Sequence, residues 1–174
     1  MWHLVASWHG LDGERWLRNA HPWSGWSRTP GLALMGLAIW SRDWIGPWSL
    51  LAIALVVAWL LINPRVFPPI RTPDNWMSQG VLGERVVTEK IPYPEHHRPV
   101  LRVLLALSLI STAVFALGLA MLDWCLTLLG GAAAIILKFW FVDRCVWIYQ
   151  DVCQEDERVQ AWTSGPANAS DRSG

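Results

Sequence analysis

The sequence predicts an all-α protein: a four-helix transmembrane bundle built as two helical hairpins, with a partly helical cytoplasmic middle loop. Three observations carry that prediction. Of 174 residues, 53% are hydrophobic and only 16% are charged, against about 25% charged in ordinary globular chains. Four long uncharged stretches follow one another along the chain. The chain also holds 14 tryptophans, many near the ends of those stretches, and an indole, apolar in body and polar at its N–H, prefers the membrane interface. A soluble bundle would carry charged faces at helical spacing; the second and third stretches carry none. A formal net charge of zero argues against a nucleic-acid partner, which would need an excess of Lys and Arg.

Residues 1–152 are expected to form a single membrane domain. The first span is placed at about 26–44 and reaches the roughly 20 residues a crossing requires only by including its flanking tryptophans. Pro30 falls near its start, where a missing N–H costs nothing. Ser41-Arg42-Asp43 and Gly46-Pro47 make a tight polar turn into the second span, 45–63. Asn63-Pro64 and Phe67-Pro68-Pro69 are expected to stop that helix. The third span, 102–122, is joined by Leu122-Asp123-Trp124 to the fourth, 124–143, which is interrupted by Lys138 and extended as helix to about 152. Lys138 must snorkel. Residues 153–174 are polar and weakly patterned, and a disordered cytoplasmic tail is expected there.

Charge fixes the expected orientation. Twelve of the 14 Lys and Arg fall on the side shared by the N-terminus, the middle loop and the C-terminus, counting those at the span ends; Arg42 alone lies on the other side, and Lys138 lies within a helix. The positive-inside rule then places both termini in the cytoplasm of a multi-pass plasma-membrane protein. The opening MWHLVASWHG lacks the basic start and apolar run of a signal peptide, so the first span is expected to serve as its own insertion signal.

Outside the lipid, LDGERWLRNAHP reads as a short helix capped by Asp12. In the middle loop, Thr72-Pro73-Asp74 reads as the start of a helix running to about Arg85, with Met77 and Val81 on one face resting at the membrane surface. KIPYPEHHRP follows as an extended, proline-punctuated segment. On the emerging fourth helix, Trp140, Asp143, Trp147 and Gln150 share one face; Phe141, Arg144, Ile148 and Asp151 share its neighbour.

His96-His97-Arg98 is the foremost site candidate, because adjacent imidazoles can act as acid and base near neutral pH or ligate a metal. The other histidines are remote and no HExxH spacing occurs, so no cofactor is expected; His21, His96 and His97 are the candidates should a metal be present. In a catalytic reading the reacting groups come from His96, His97, Asp143 and Glu84, and Arg85, Arg98, Arg144 and Lys138 hold an anionic headgroup. The plainer reading gives those cations topology and snorkelling, and gives Asp143 and Arg144 the place where water begins. Cys125, at the outer end of the fourth helix, cannot reach Cys145 or Cys153 across the membrane. Gly130, Gly131, Ala132, Ala133 and Ala134 form a small-residue patch suited to close helix approach, within the chain or in a homo-oligomer.

HPWSGWSR, WSRDWIG, NPRVFPP, VLGER, EHHR and KFWFVDRCVWIYQD together resemble an uncharacterised family of small prokaryotic multi-helix membrane proteins, a domain of unknown function, over about residues 20–152. The resemblance implies an integral membrane protein and supplies no activity, cofactor or catalytic residue. A binding or scaffold component at the cytoplasmic leaflet is the first functional reading. A membrane-embedded enzyme acting on a lipid or amphipathic substrate with an anionic headgroup is the second, and it requires His21 or His96/His97 to converge with Glu84, Asp143 and Arg144. An oligomeric transporter or channel subunit is the third.

Overall fold

The structure, a computed structural model, describes residues 13–162. Among them it is all helix: α1 (Gly13–Asn19), α2 (Pro22–Arg28), α3 (Gly31–Trp40), α4 (Arg42–Ile45), a 3-10 turn (Gly46–Trp48), α5 (Ser49–Val66), α6 (Trp76–Thr88), α7 (His97–Met121), α8 (Trp124–Glu155) and α9 (Glu157–Ala161). Three helical stretches are long and apolar enough to cross a membrane: Pro22–Val66, with its internal breaks, His97–Met121 and Trp124–Glu155. At 1.5 Å per residue, α5, α7 and α8 are about 27, 37 and 48 Å long.

The described residues fall into two compact units. One comprises the residues up to Gly25, Phe67–Arg98, and those from Val142 onward; the other comprises Trp26–Val66 and Pro99–Phe141. They expose different chemistry. The first has Leu82, Val86, Cys145, Ile148 and Val159 fully buried. The second carries every exposed large hydrophobic among the described residues except Trp23 and Trp147.

In the second unit, the stretch expected as one span over 26–44 is divided into α2, α3 and α4, with breaks at Thr29-Pro30 and Ser41. Gly46 takes φ +54, a left-handed conformation that suits glycine, in the turn before α5. The end of α2 and the start of α3 meet the end of α5. A side chain at Gly31 would press on the tip of Leu60, and Asn63 Nδ2 donates to Ser27 Oγ at 2.6 Å. The expected stop at Asn63-Pro64 is displaced: α5 carries Pro64 and ends at Val66. Proline in a last turn removes one hydrogen bond from a helix about to end, so the break falls at Phe67-Pro68-Pro69, the second of the two expected stops. The joint between α7 and α8 lies where expected. Leu122 takes φ +54, and Asp123 Oδ1 accepts from Leu126 N at 2.9 Å, capping α8.

In the first unit, α6 begins later than the Thr72 cap predicts. Thr72 Oγ1 donates to Asp74 Oδ2 at 2.8 Å, so that hydroxyl caps no helix; Asn75 Oδ1 accepts from Ser78 N at 3.2 Å and starts α6 instead. Nor is α6 a surface helix: Met77, Gly80, Val81, Leu82, Gly83 and Val86 are all buried. Gly80 lies against Val142, and Gly83 lies so close to the Cys145 backbone that a methyl group would overlap it. Two glycines on one face let α6 and α8 touch backbone to backbone. The expectation of disorder from 153 fails at its beginning. α8 runs to Glu155, Asp156 caps α9 by accepting from Arg158 N, and Val159 is fully buried. One buried valine and one good cap hold that segment in a stretch of otherwise polar composition. Asp12 and residues 163–174 lie outside the described residues.

Candidate functional site

The histidine pair sits where an extended segment becomes a helix. Proline at 92 and 94 keeps the approach extended. Then His97 N donates to Pro94 O and Arg98 N to Glu95 O, at 3.2 and 3.1 Å, turning the chain into α7. Pro99 is accommodated because the N–H groups of a first turn lack intrahelical partners anyway. His97 is 4% exposed, and its Nε2 lies 2.9 Å from Asp151 Oδ2. A carboxylate only accepts, so in this contact Nε2 carries the proton. The His96 ring, exposed to solvent, has its centroid 4.0 Å from that of His97. One donor atom from each of His96, His97 and Asp151 lies within 4.8 Å of the others.

Asp151 is the partner that sequence reasoning missed. It was placed on the helical face with Arg144 and Ile148, but no spacing rule connects it to residues 54 positions earlier. The sequence offered only the helical face it shares with Ile148, which the structure buries; Asp151 itself is half-buried there.

The other candidates occupy different surroundings. Neither His21, Glu84 nor Asp143 belongs to the three-residue cluster. Asp143 Oδ1 accepts from Trp76 Nε1 at 3.1 Å. Arg85 is buried; its Nε donates to Glu89 Oε1 at 2.7 Å and its guanidinium lies 3.8 Å over the Trp162 ring. Arg98 donates to Glu95 at 3.1 Å. His21 stacks on Phe67, centroids 5.1 Å apart. Arg144 is half-buried, and its Nε has no hydrogen-bond partner among the described residues. Lys138 is exposed, its Nζ 5.2 Å from the Phe141 ring. Glu84 is half-buried on α6.

The small-residue patch of α8 is used within the second unit. Gly130 abuts the Phe115 backbone and Gly131 the Phe115 ring, both on α7. Ala134 is buried, while Ala132 is exposed and Ala133 half-buried. Beside the patch lies an apolar groove of about 500 Å³, lined among others by Leu37, Trp40, Phe115, Trp124 and Gly131. Trp40 Nε1 donates to Thr127 Oγ1 there, at 3.3 Å.

Fold and site together define an all-helical protein with helices long and apolar enough to cross a membrane and a histidine–carboxylate cluster in its first unit. The chain belongs to a family of unknown function, DUF6653, which matches residues 3–168 and so extends past both ends of the segment that carried the resemblance. No curated protein and no solved structure matches it.

Proposed function

We propose that the protein is an integral membrane protein of a prokaryotic plasma membrane, crossing it four times as two hairpins with both termini cytoplasmic. Its first unit serves as a binding or scaffold component at the cytoplasmic leaflet. One observation carries this reading: the near-complete segregation of exposed large hydrophobics into the second unit. Apolar area of that extent, left in water, would be an aggregation surface; in a bilayer it is the solvated surface. The meeting of Ser27 with Asn63 and of Gly31 with Leu60 supports counting Pro22–Val66 as two crossings rather than one. Binding is favoured over headgroup chemistry by the arginines, since Arg85 and Arg98 are engaged by Glu89 and Glu95. The enzyme reading keeps one observation of its own, the buried His97 facing Asp151.

Cysteine accessibility tests the topology. Cys125 is exposed at the first turn of α8, and Cys153 is half-buried in the last. In intact cells a membrane-impermeant maleimide is expected to label a variant retaining only Cys125, and to label one retaining only Cys153 only after permeabilisation. The reverse pattern, or a chain recovered in the aqueous fraction without detergent, would overturn the reading.

A further inference from the structure

We propose that His96, His97 and Asp151 form a binding site for one divalent transition-metal ion of the zinc type. The inference stands on the first unit alone and is independent of the membrane reading. The sequence argues against a metal because the other histidines are remote and no HExxH spacing occurs, which leaves two adjacent ligands in view and no third. The fold supplies the third. Asp151 comes from α8, 54 residues away, and its Oδ2 already lies 2.9 Å from His97 Nε2.

The donor set selects the ion. Two imidazoles and one carboxylate suit Zn²⁺, Co²⁺, Ni²⁺ or Cu²⁺, whereas Mg²⁺ and Ca²⁺ prefer oxygen throughout. Three protein ligands leave a fourth position for water or a substrate atom, the arrangement of an open rather than a closed site. Metal–ligand bonds of about 2.0–2.1 Å put tetrahedral donors about 3.3 Å apart. The His97–Asp151 pair, at 2.9 Å, must open slightly to admit an ion, while the full set, within 4.8 Å, must contract.

Burial says which side chain moves. His97 is 4% exposed and fixed by the first turn of α7, while His96 is exposed and can rotate toward the pair. A rigid pair with a mobile third ligand is a site that closes on its ion. On binding, the metal takes the place of the proton between Nε2 and Oδ2, and in the neutral ring that proton moves to Nδ1.

The test uses the full chain in detergent, free of any polyhistidine tag and stripped with chelator. Zn²⁺ is titrated against a chromophoric competitor, and Co²⁺ is followed by its visible absorption. One equivalent is expected to bind. His96→Gln, at an exposed position that leaves the core intact, and Asp151→Asn are each expected to weaken Zn²⁺ binding at least about 10-fold, the loss usual even for groups that only orient a ligand. His21→Gln is expected to bind as the unaltered chain does. Helical content by circular dichroism separates lost binding from lost folding. Absence of saturable binding by the unaltered chain, or retention of its affinity by folded His96→Gln or folded Asp151→Asn, would overturn the proposal.

Discussion

Asn63 and Ser27 are joined across 36 residues of chain: Asn63 is fully buried, and its amide donates to the Ser27 hydroxyl at 2.6 Å. Trp59, one turn earlier on α5, donates its indole N–H to the Ser27 carbonyl at 3.3 Å. Two donors from one helix thus hold Ser27, in the last turn of a neighbouring one. Polar contacts between apolar helices fix register where the apolar surfaces themselves are interchangeable.

Asn63→Leu keeps bulk and removes the donor. It is expected to lower stability in detergent by about 1 kcal/mol, within the range for side-chain hydrogen bonds between membrane helices. Thermal unfolding monitored by circular dichroism reads the change, and an unaltered midpoint would show that the bond contributes nothing.

Gly83→Ala is expected to be the most damaging single-methyl change in the first unit, because Gly83 faces the Cys145 backbone, which cannot swing aside as a side chain can. A cost of about 3 kcal/mol, the upper part of the overpacking range, is expected. Gly46→Ala has open space around it and strains only the left-handed backbone at φ +54, so about 1 kcal/mol is expected there. Measuring both variants separates crowding from backbone strain, and equal effects would contradict the distinction.

Arg85→Lys retains the charge and loses the planar guanidinium stacked on Trp162. A loss of about 1 kcal/mol is expected, and Trp162→Ala should make the lysine substitution nearly silent if the stack is its cause. A double-mutant cycle in urea or heat provides the check. Additive losses would assign the effect to the Glu89 pair instead.

The apolar runs were legible in the sequence because lipid demands uninterrupted stretches of crossing length, and the Leu122-Asp123-Trp124 joint because one acid between two such runs has nowhere else to lie. What could not be read turned on choices between near neighbours. Thr72 and Asn75 are both good caps, and only the hydrogen bond from Thr72 to Asp74 decides between them. Met77 and Val81 on one helical face fit an interface and a core equally well. Gly80 and Gly83 on that helix were the overlooked sign that another backbone approaches. The histidine pair was visible at once, but a contact between residues 97 and 151 leaves no trace in local spacing.

The first unit draws on three stretches that are far apart in sequence: the residues up to Gly25, Phe67–Arg98, and those from Val142. During synthesis, then, the apolar helices of the second unit can emerge while the first unit still lacks its final third. Its α6 must wait, with Gly80 and Gly83 uncovered, until the ribosome has delivered Val142 and Cys145. Nascent chains halted short of Val142 should be cleaved readily by protease between 67 and 98, and completed ones should resist.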